Sequence, residues 1–125
     1  MPDRYNVRMP LSSTFEKLPA GTAVMTLSGR ITNGDPLLRV DSEIRAAIAN
    51  GVTRLVIDLT GVDYVDSAGV GLLMYTNGML TERNGVLRVC GAGPRVLSML
   101  KLTKTDTILA IDLSREESLA ALAKA

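Results

Sequence analysis

Ser67 stands between Asp66 and Ala68 in the stretch VDYVDSAGVGLLM, Val62 to Met74. A serine in this setting can act as a nucleophile, cap a helix, or accept a covalent modification. Nucleophilic attack needs a base, and the sequence contains no histidine, so a Ser-His-Asp or Cys-His unit is impossible. The Gly-x-Ser-x-Gly elbow also fails, because Val65 holds the position of its first glycine. The missing histidines exclude a phosphorelay through histidine and any His-containing metal site. A lone cysteine, Cys90, cannot build a cysteine zinc cluster. The expectation is therefore a non-enzymatic chain with no catalytic residues, no metal and no cofactor.

Two readings of Ser67 remain, and they are compatible. As an N-cap, its hydroxyl would satisfy an orphan amide at the start of an apolar helix. As a phosphoacceptor, it would place a dianion against the free amides and positive dipole of that helix, with Asp66 beside it to repel the new charge. Gly69 and Gly71 each cost about 1 kcal/mol in a helix relative to alanine. They serve either close helix–sheet packing or the close approach of another backbone. Val70, Leu72, Leu73, Met74, Tyr75, Met79 and Leu80 make the helix apolar almost all round, so part of it is expected to face outward as a contact patch. Other motifs carry less. GAGPRV, residues 91–96, has Val96 where a dinucleotide loop needs its third glycine, and it reads as a tight turn. Asp58, Asp63 and Asp66 lack ligand spacing and point to structural or solvent roles.

The elements that must position this stretch follow from pattern. SSTFEKL and TAVMTLSG, separated by the turn signal Pro19–Gly21, read as a hairpin whose first strand is an edge. Asp35 is expected to cap a helix with Pro36 in its first turn and an apolar stripe of Leu37, Leu38, Val40, Ile44, Ala47 and Ile48, ended by Gly51. Leu55, Val56, Ile57 and Leu59 form the nearly continuous apolar run of a strand buried on both faces. The loop of the opening stretch then leads into a helix over about 67–83, stopped by Asn84-Gly85. A short strand over 86–90, a helix from Pro94, a strand over about 107–111 and a terminal helix with a Ser114/Glu117 capping box complete the chain. The order β-β-α-β-α-β-α-β-α argues for an α/β fold, a mixed sheet of about five strands covered by about four helices. Residues 1–11 read as a loose arm and 12–125 as one domain.

Composition sets the outer bounds. The 125 residues are 46% hydrophobic and 22% charged with a net charge of +1, which is globular and offers no basic field for nucleic acid or a membrane surface. No apolar run is long enough to span a bilayer, the N-terminus has no signal-peptide core, and one cysteine suits a reducing compartment, so a cytoplasmic location is expected.

LVIDLTGVDYVDSAGVGLLM, together with LSGRI before the first helix and GVLRVCGAGPRVLSMLKLTKTD after the second, resembles the signature of STAS domains, in particular bacterial anti-sigma-factor antagonists. The likeness covers roughly residues 12–123. It implies that Ser67 is a phosphoacceptor and that the chain is a switch regulating transcription. Unphosphorylated, it would sequester an anti-sigma factor that is also a serine kinase with a histidine-kinase-like ATPase fold. Phosphorylated, it would let go until a serine phosphatase resets it. The implied partner surface comprises Asp66, Ala68, Gly69, Val70, Gly71, Met74 and Tyr75, with Thr32 and Asn33 from the loop before the first helix. Thr32 stands where the family often carries an acid, and Ala68 leaves no second acceptor beside Ser67. A homodimer stays open. The alternative is a non-switching structural STAS subunit of a stressosome-like or lipid-transport complex.

Overall fold

The computed structural model describes residues 9–124. Five strands form one sheet in the order β1 (Ser12–Lys17), β2 (Thr22–Ile31), β3 (Arg54–Val65), β4 (Val86–Cys90), β5 (Ala110–Asp112). The β1–β2 pair is antiparallel, as the Pro19–Gly21 turn demands, and the remaining pairs are parallel. Between them run α1 (Asp35–Ala49), α2 (Ser67–Glu82) and α3 (Pro94–Leu102), and α4 (Arg115–Ala123) closes the chain. This is the α/β order and the mixed sheet expected from the sequence.

The two-residue period of the strands decides which helix covers which face. Ala23, Met25 and Leu27 of β2 and Leu55, Ile57 and Leu59 of β3 point into one core with Ile44 of α1, Leu73 and Leu80 of α2, and Val96 and Leu100 of α3. Val24, Val56 and Cys90 point the other way, onto Leu122 of α4. Burial, with nearby Asp58 adding to it, pushes the Cys90 thiol up to about 11 and keeps it protonated.

Several local expectations need correction. Asp35 is not the cap of α1; Gly34 holds that position without a side-chain bond, and Pro36 lies in the first turn. Leu37 is buried but its neighbour Leu38 is 63% exposed, because consecutive helical residues point about 100° apart. The strand placed over 107–111 is only Ala110–Asp112. Lys104 adopts a left-handed φ of 60° and launches a 3-10 turn over Thr105–Thr107 instead. The Ser114 cap of α4 holds, accepting the Glu117 amide at 3.2 Å, while the Glu117 carboxylate reaches back to the Leu113 amide at 3.3 Å.

The largest difference concerns the site. The segment expected as a loop after the central strand continues as strand to Val65 and pairs with an equally extended β2: Gly29 with Val62, Arg30 with Tyr64, Ile31 with Val65. Register shifts between Thr26 and Ser28 and between Gly29 and Arg30 let the two ends bend together. Of the expected arm, residues 1–8 lie outside the described residues. Residues 9–11 run over Gly29 (φ +93°), where a Cβ would meet the Pro10 carbonyl, and Leu11 is buried.

α4 is tied to the sheet by a polar cluster. Arg88 forks Asp112 with bonds of 2.7 and 2.9 Å, and the same carboxylate accepts the buried Ser118 hydroxyl at 2.7 Å. The Arg88 guanidinium accordingly holds the Asp112 carboxyl below the usual range, against a smaller opposing effect of burial. Asp112→Asn removes the charge from this fork and is expected to cost about 2 kcal/mol, the scale of hydrogen bonds to charged groups. A urea titration showing an unchanged midpoint would rule that out.

Candidate functional site

Ser67 is the first residue of α2, but it does not cap the helix. The cap is Asp66, whose backbone is extended (φ −98°, ψ −174°) and whose Oδ1 accepts the Gly69 amide at 2.9 Å. Its Oδ2 accepts the Asn33 amide at 3.0 Å, and its own amide donates to the Ile31 carbonyl at 3.0 Å. One carboxylate thus joins the end of β2, the loop before α1 and the start of α2. Burial alone would raise the Asp66 pKa. The amides of Asn33, Gly69 and Ala68 outweigh it and hold the carboxyl below its ordinary value.

Because Asp66 takes the capping role, the Ser67 hydroxyl is exposed and has no hydrogen-bond partner among the described residues. Of the amides expected to greet a phosphate, that of Gly69 is already bound by Asp66. A dianion on Ser67 therefore sits beside a carboxylate that has first claim on the helix N-terminus.

The remaining expected site residues divide by burial. Gly69 and Val70 are buried. A Cβ on Gly69 would lie 2.7 Å from Ile31 Cγ2 and 2.8 Å from the Ile31 carbonyl oxygen. These two residues shape the site from beneath and offer no side-chain surface to a partner. Ala68 is half-buried, Gly71 is exposed with open space where a Cβ would be, and Tyr75 is 53% exposed. Met74 and Met79 are half-buried against the core, so the outward patch expected along α2 narrows to Tyr75. Thr32 is half-buried and Asn33 exposed at the loop that Asp66 pins.

Leu38 and Asp41 of α1 and Ala68, Gly71 and Tyr75 of α2 line a shallow groove of about 320 Å³ that starts one residue from Ser67. Arg45, bonded to Asp41 at 2.9 Å, lies over the Tyr75 ring at 4.7 Å from its centre. Leu38 and Arg45 were not foreseen as site residues. Their signal was present in the helical spacing, where Asp41 and Arg45 stand four apart and Leu38 precedes Asp41 by three. The three acids considered together in the sequence are dispersed. Asp58 binds the Thr60 hydroxyl and amide at 2.6 and 3.0 Å and faces Arg115 at 3.5 Å, Asp66 caps α2, and Asp63 is exposed.

The family model described as Mlab, STAS domain matches residues 15–122. The chain belongs to the STAS-domain family. A candidate anti-sigma factor antagonist of Bordetella bronchiseptica, BtrV, is 28% identical over 108 residues, covering 86% of this chain and 91% of BtrV. The crystal structure of an anti-sigma factor antagonist from Mycobacterium paratuberculosis superposes with a TM-score of 0.80 at 25% identity, covering 91% of this chain and 95% of that one. The anti-sigma factor antagonist SpoIIAA in its unphosphorylated form shares the fold, with a TM-score of 0.79 at 19% identity over 91% of this chain and 98% of SpoIIAA. Among the described residues no helix is long and apolar enough to cross a membrane.

Proposed function

We propose that the chain is an anti-sigma factor antagonist, a binding module without catalytic activity whose hold on its partner is set by phosphorylation of Ser67. One observation carries the reading. The acid beside the serine performs the capping that the serine could have performed, which leaves an exposed, unengaged hydroxyl at the head of α2. Adding a phosphate there breaks no hydrogen bond among the described residues, so the fold tolerates it. The added charge of about −1.5 to −2 alters only the surface.

In this reading the partner is an anti-sigma factor that is also a serine kinase of histidine-kinase-like ATPase fold. It docks on Ser67, the Thr32–Asn33 loop and the Leu38–Tyr75 groove, and a serine phosphatase restores the free form. The γ-phosphoryl group passes to Ser67 Oγ, the hydroxyl proton leaves to a base of the kinase, and ADP departs with the partner. BtrV and the Mycobacterium protein, both described as anti-sigma factor antagonists, support the antagonist part of this reading.

Incubation with a cognate serine kinase of ATPase fold, and ATP, is expected to add one phosphate, and Ser67→Ala to abolish it. Phosphate found on another residue by mass spectrometry overturns the mechanism. Equal kinase affinity of Ser67→Ala and Ser67→Asp in calorimetry would point instead to a structural subunit that does not switch.

A further inference from the structure

Arg30 and Arg95 come from distant parts of the chain to the same ring. The Arg30 guanidinium carbon lies 4.3 Å from the centre of Tyr64, and that of Arg95 lies 5.8 Å from it. Arg45, Arg88 and Arg115 each meet a carboxylate, whereas neither Arg30 nor Arg95 does so among the described residues. A guanidinium stacked on an aromatic face keeps its N–H edge available to fork an oxyanion.

Beside the ring, Tyr64, Val65, Arg95, Ser98, Met99 and Leu102 line an open recess of about 320 Å³, and Leu102 is 79% exposed. Asp63, the acid nearest in sequence, lines an adjoining recess with Val62, Pro94 and Arg95 itself, and forms no ion pair among the described residues. With neither Arg30 nor Arg95 in an ion pair among the described residues, the two guanidiniums leave this point cationic.

We infer that Arg30, Tyr64 and Arg95 form a docking point for an acidic segment of the partner protein, whose carboxylates pair with the two guanidiniums while an adjoining leucine-sized side chain fills the Met99–Leu102 recess. The inference rests on the reading of the chain as a partner-binding module and extends its surface from α2 to α3. Charge complementarity selects the occupant. An apolar peptide would leave both guanidiniums unpaired, and a basic one would be repelled. Tyr64 lies three residues before Ser67, so this point and the switch residue fit under one partner.

The test is a resonance titration of the isotope-labelled full chain with a synthetic peptide alternating glutamate and leucine. Parallel arms use the lysine–leucine counterpart, inorganic phosphate, and phosphatidylglycerol vesicles. Saturable shifts at Tyr64, Arg95 and Met99 with the acidic peptide alone are expected. Affinity should fall at least tenfold in Arg95→Glu, fall in Arg30→Gln and Leu102→Ala, and weaken as salt rises. Arg95 is exposed, so Arg95→Glu should fold as the parent does, and circular dichroism checks this. Undiminished binding by Arg95→Glu, no shift at Tyr64, or equal shifts with phosphate or vesicles each overturns the inference. No kinase enters the titration, so its failure leaves Ser67 phosphorylation standing, and absence of phosphate transfer leaves this surface standing.

Discussion

Gly69→Val should destabilise the chain by about 3 kcal/mol, and Gly69→Ala by about 2 kcal/mol, the upper part of the range for overpacking a close-packed core. The cost arises where α2 crosses the ends of β2 and β3. A Cβ at this position meets Val65 Cγ2, Ile31 Cγ2 and the Ile31 carbonyl oxygen at once. Side chains can rotate away, but the carbonyl cannot move freely, because it accepts the Asp66 amide at 3.0 Å. Relieving the clash means lifting the first turn of α2 and with it Ser67. Valine adds a β-branch that fits helices poorly.

Gly71→Ala, two residues on, is the control. Its Cβ would enter open space, so it should stabilise α2 by about 1 kcal/mol through helix propensity alone. Urea midpoints of the three variants decide the matter. Equal midpoints for Gly69→Ala and Gly71→Ala would contradict the packing described for this turn. The pair also resolves a question the sequence left open, since Gly69 is required by packing and Gly71 is not.

Features that depend on local period or local turn chemistry were legible in the sequence. The Leu55–Leu59 run marked a strand covered on both faces, Asn84-Gly85 ended α2 with Asn84 itself in the left-handed region, and Ser114 with Glu117 marked the start of α4. Features that depend on a one-residue choice were not. Asp66 and Ser67 are both good capping residues, and nothing in the dipeptide says which one takes the extended backbone. The choice is made by the distant Asn33 amide, which only the carboxylate with its second oxygen can satisfy while also binding Gly69. Tyr64 escaped notice for a related reason. Its pairing with Arg30 follows from a parallel register broken twice, between Thr26 and Ser28 and between Gly29 and Arg30, and register shifts leave no periodic trace.

Asp66→Ala should cost about 3 kcal/mol, because two separate interactions end in one side chain. Loss of an N-cap accounts for about 1 kcal/mol. The charge-assisted bond to the Asn33 amide adds about 1.5 to 3 kcal/mol, reduced by the water that reaches this exposed loop. Asp66→Asn should fall between. Its amide oxygen can still cap α2 at Gly69, but its NH2 group then faces the Asn33 amide, donor against donor. The two variants thus separate the cap from the tie to the loop, and Asn33 amide exchange should accelerate in both.

The pH dependence follows with a definite sign. The folded Asp66 carboxyl is held below its ordinary value, so the unfolded chain takes up the proton first as pH falls. Its contribution is complete above the unfolded aspartate value of about 3.9 and is lost as pH drops through the lower folded value. Asp58 and Asp112 are shifted in the same direction, but they are present in parent and variant alike and cancel in the comparison. The stability gap between the parent and Asp66→Asn should therefore be constant near neutrality and close in acid. A gap that stayed constant into acid would mean that the charge of Asp66 contributes nothing, and that the loop is held by geometry alone.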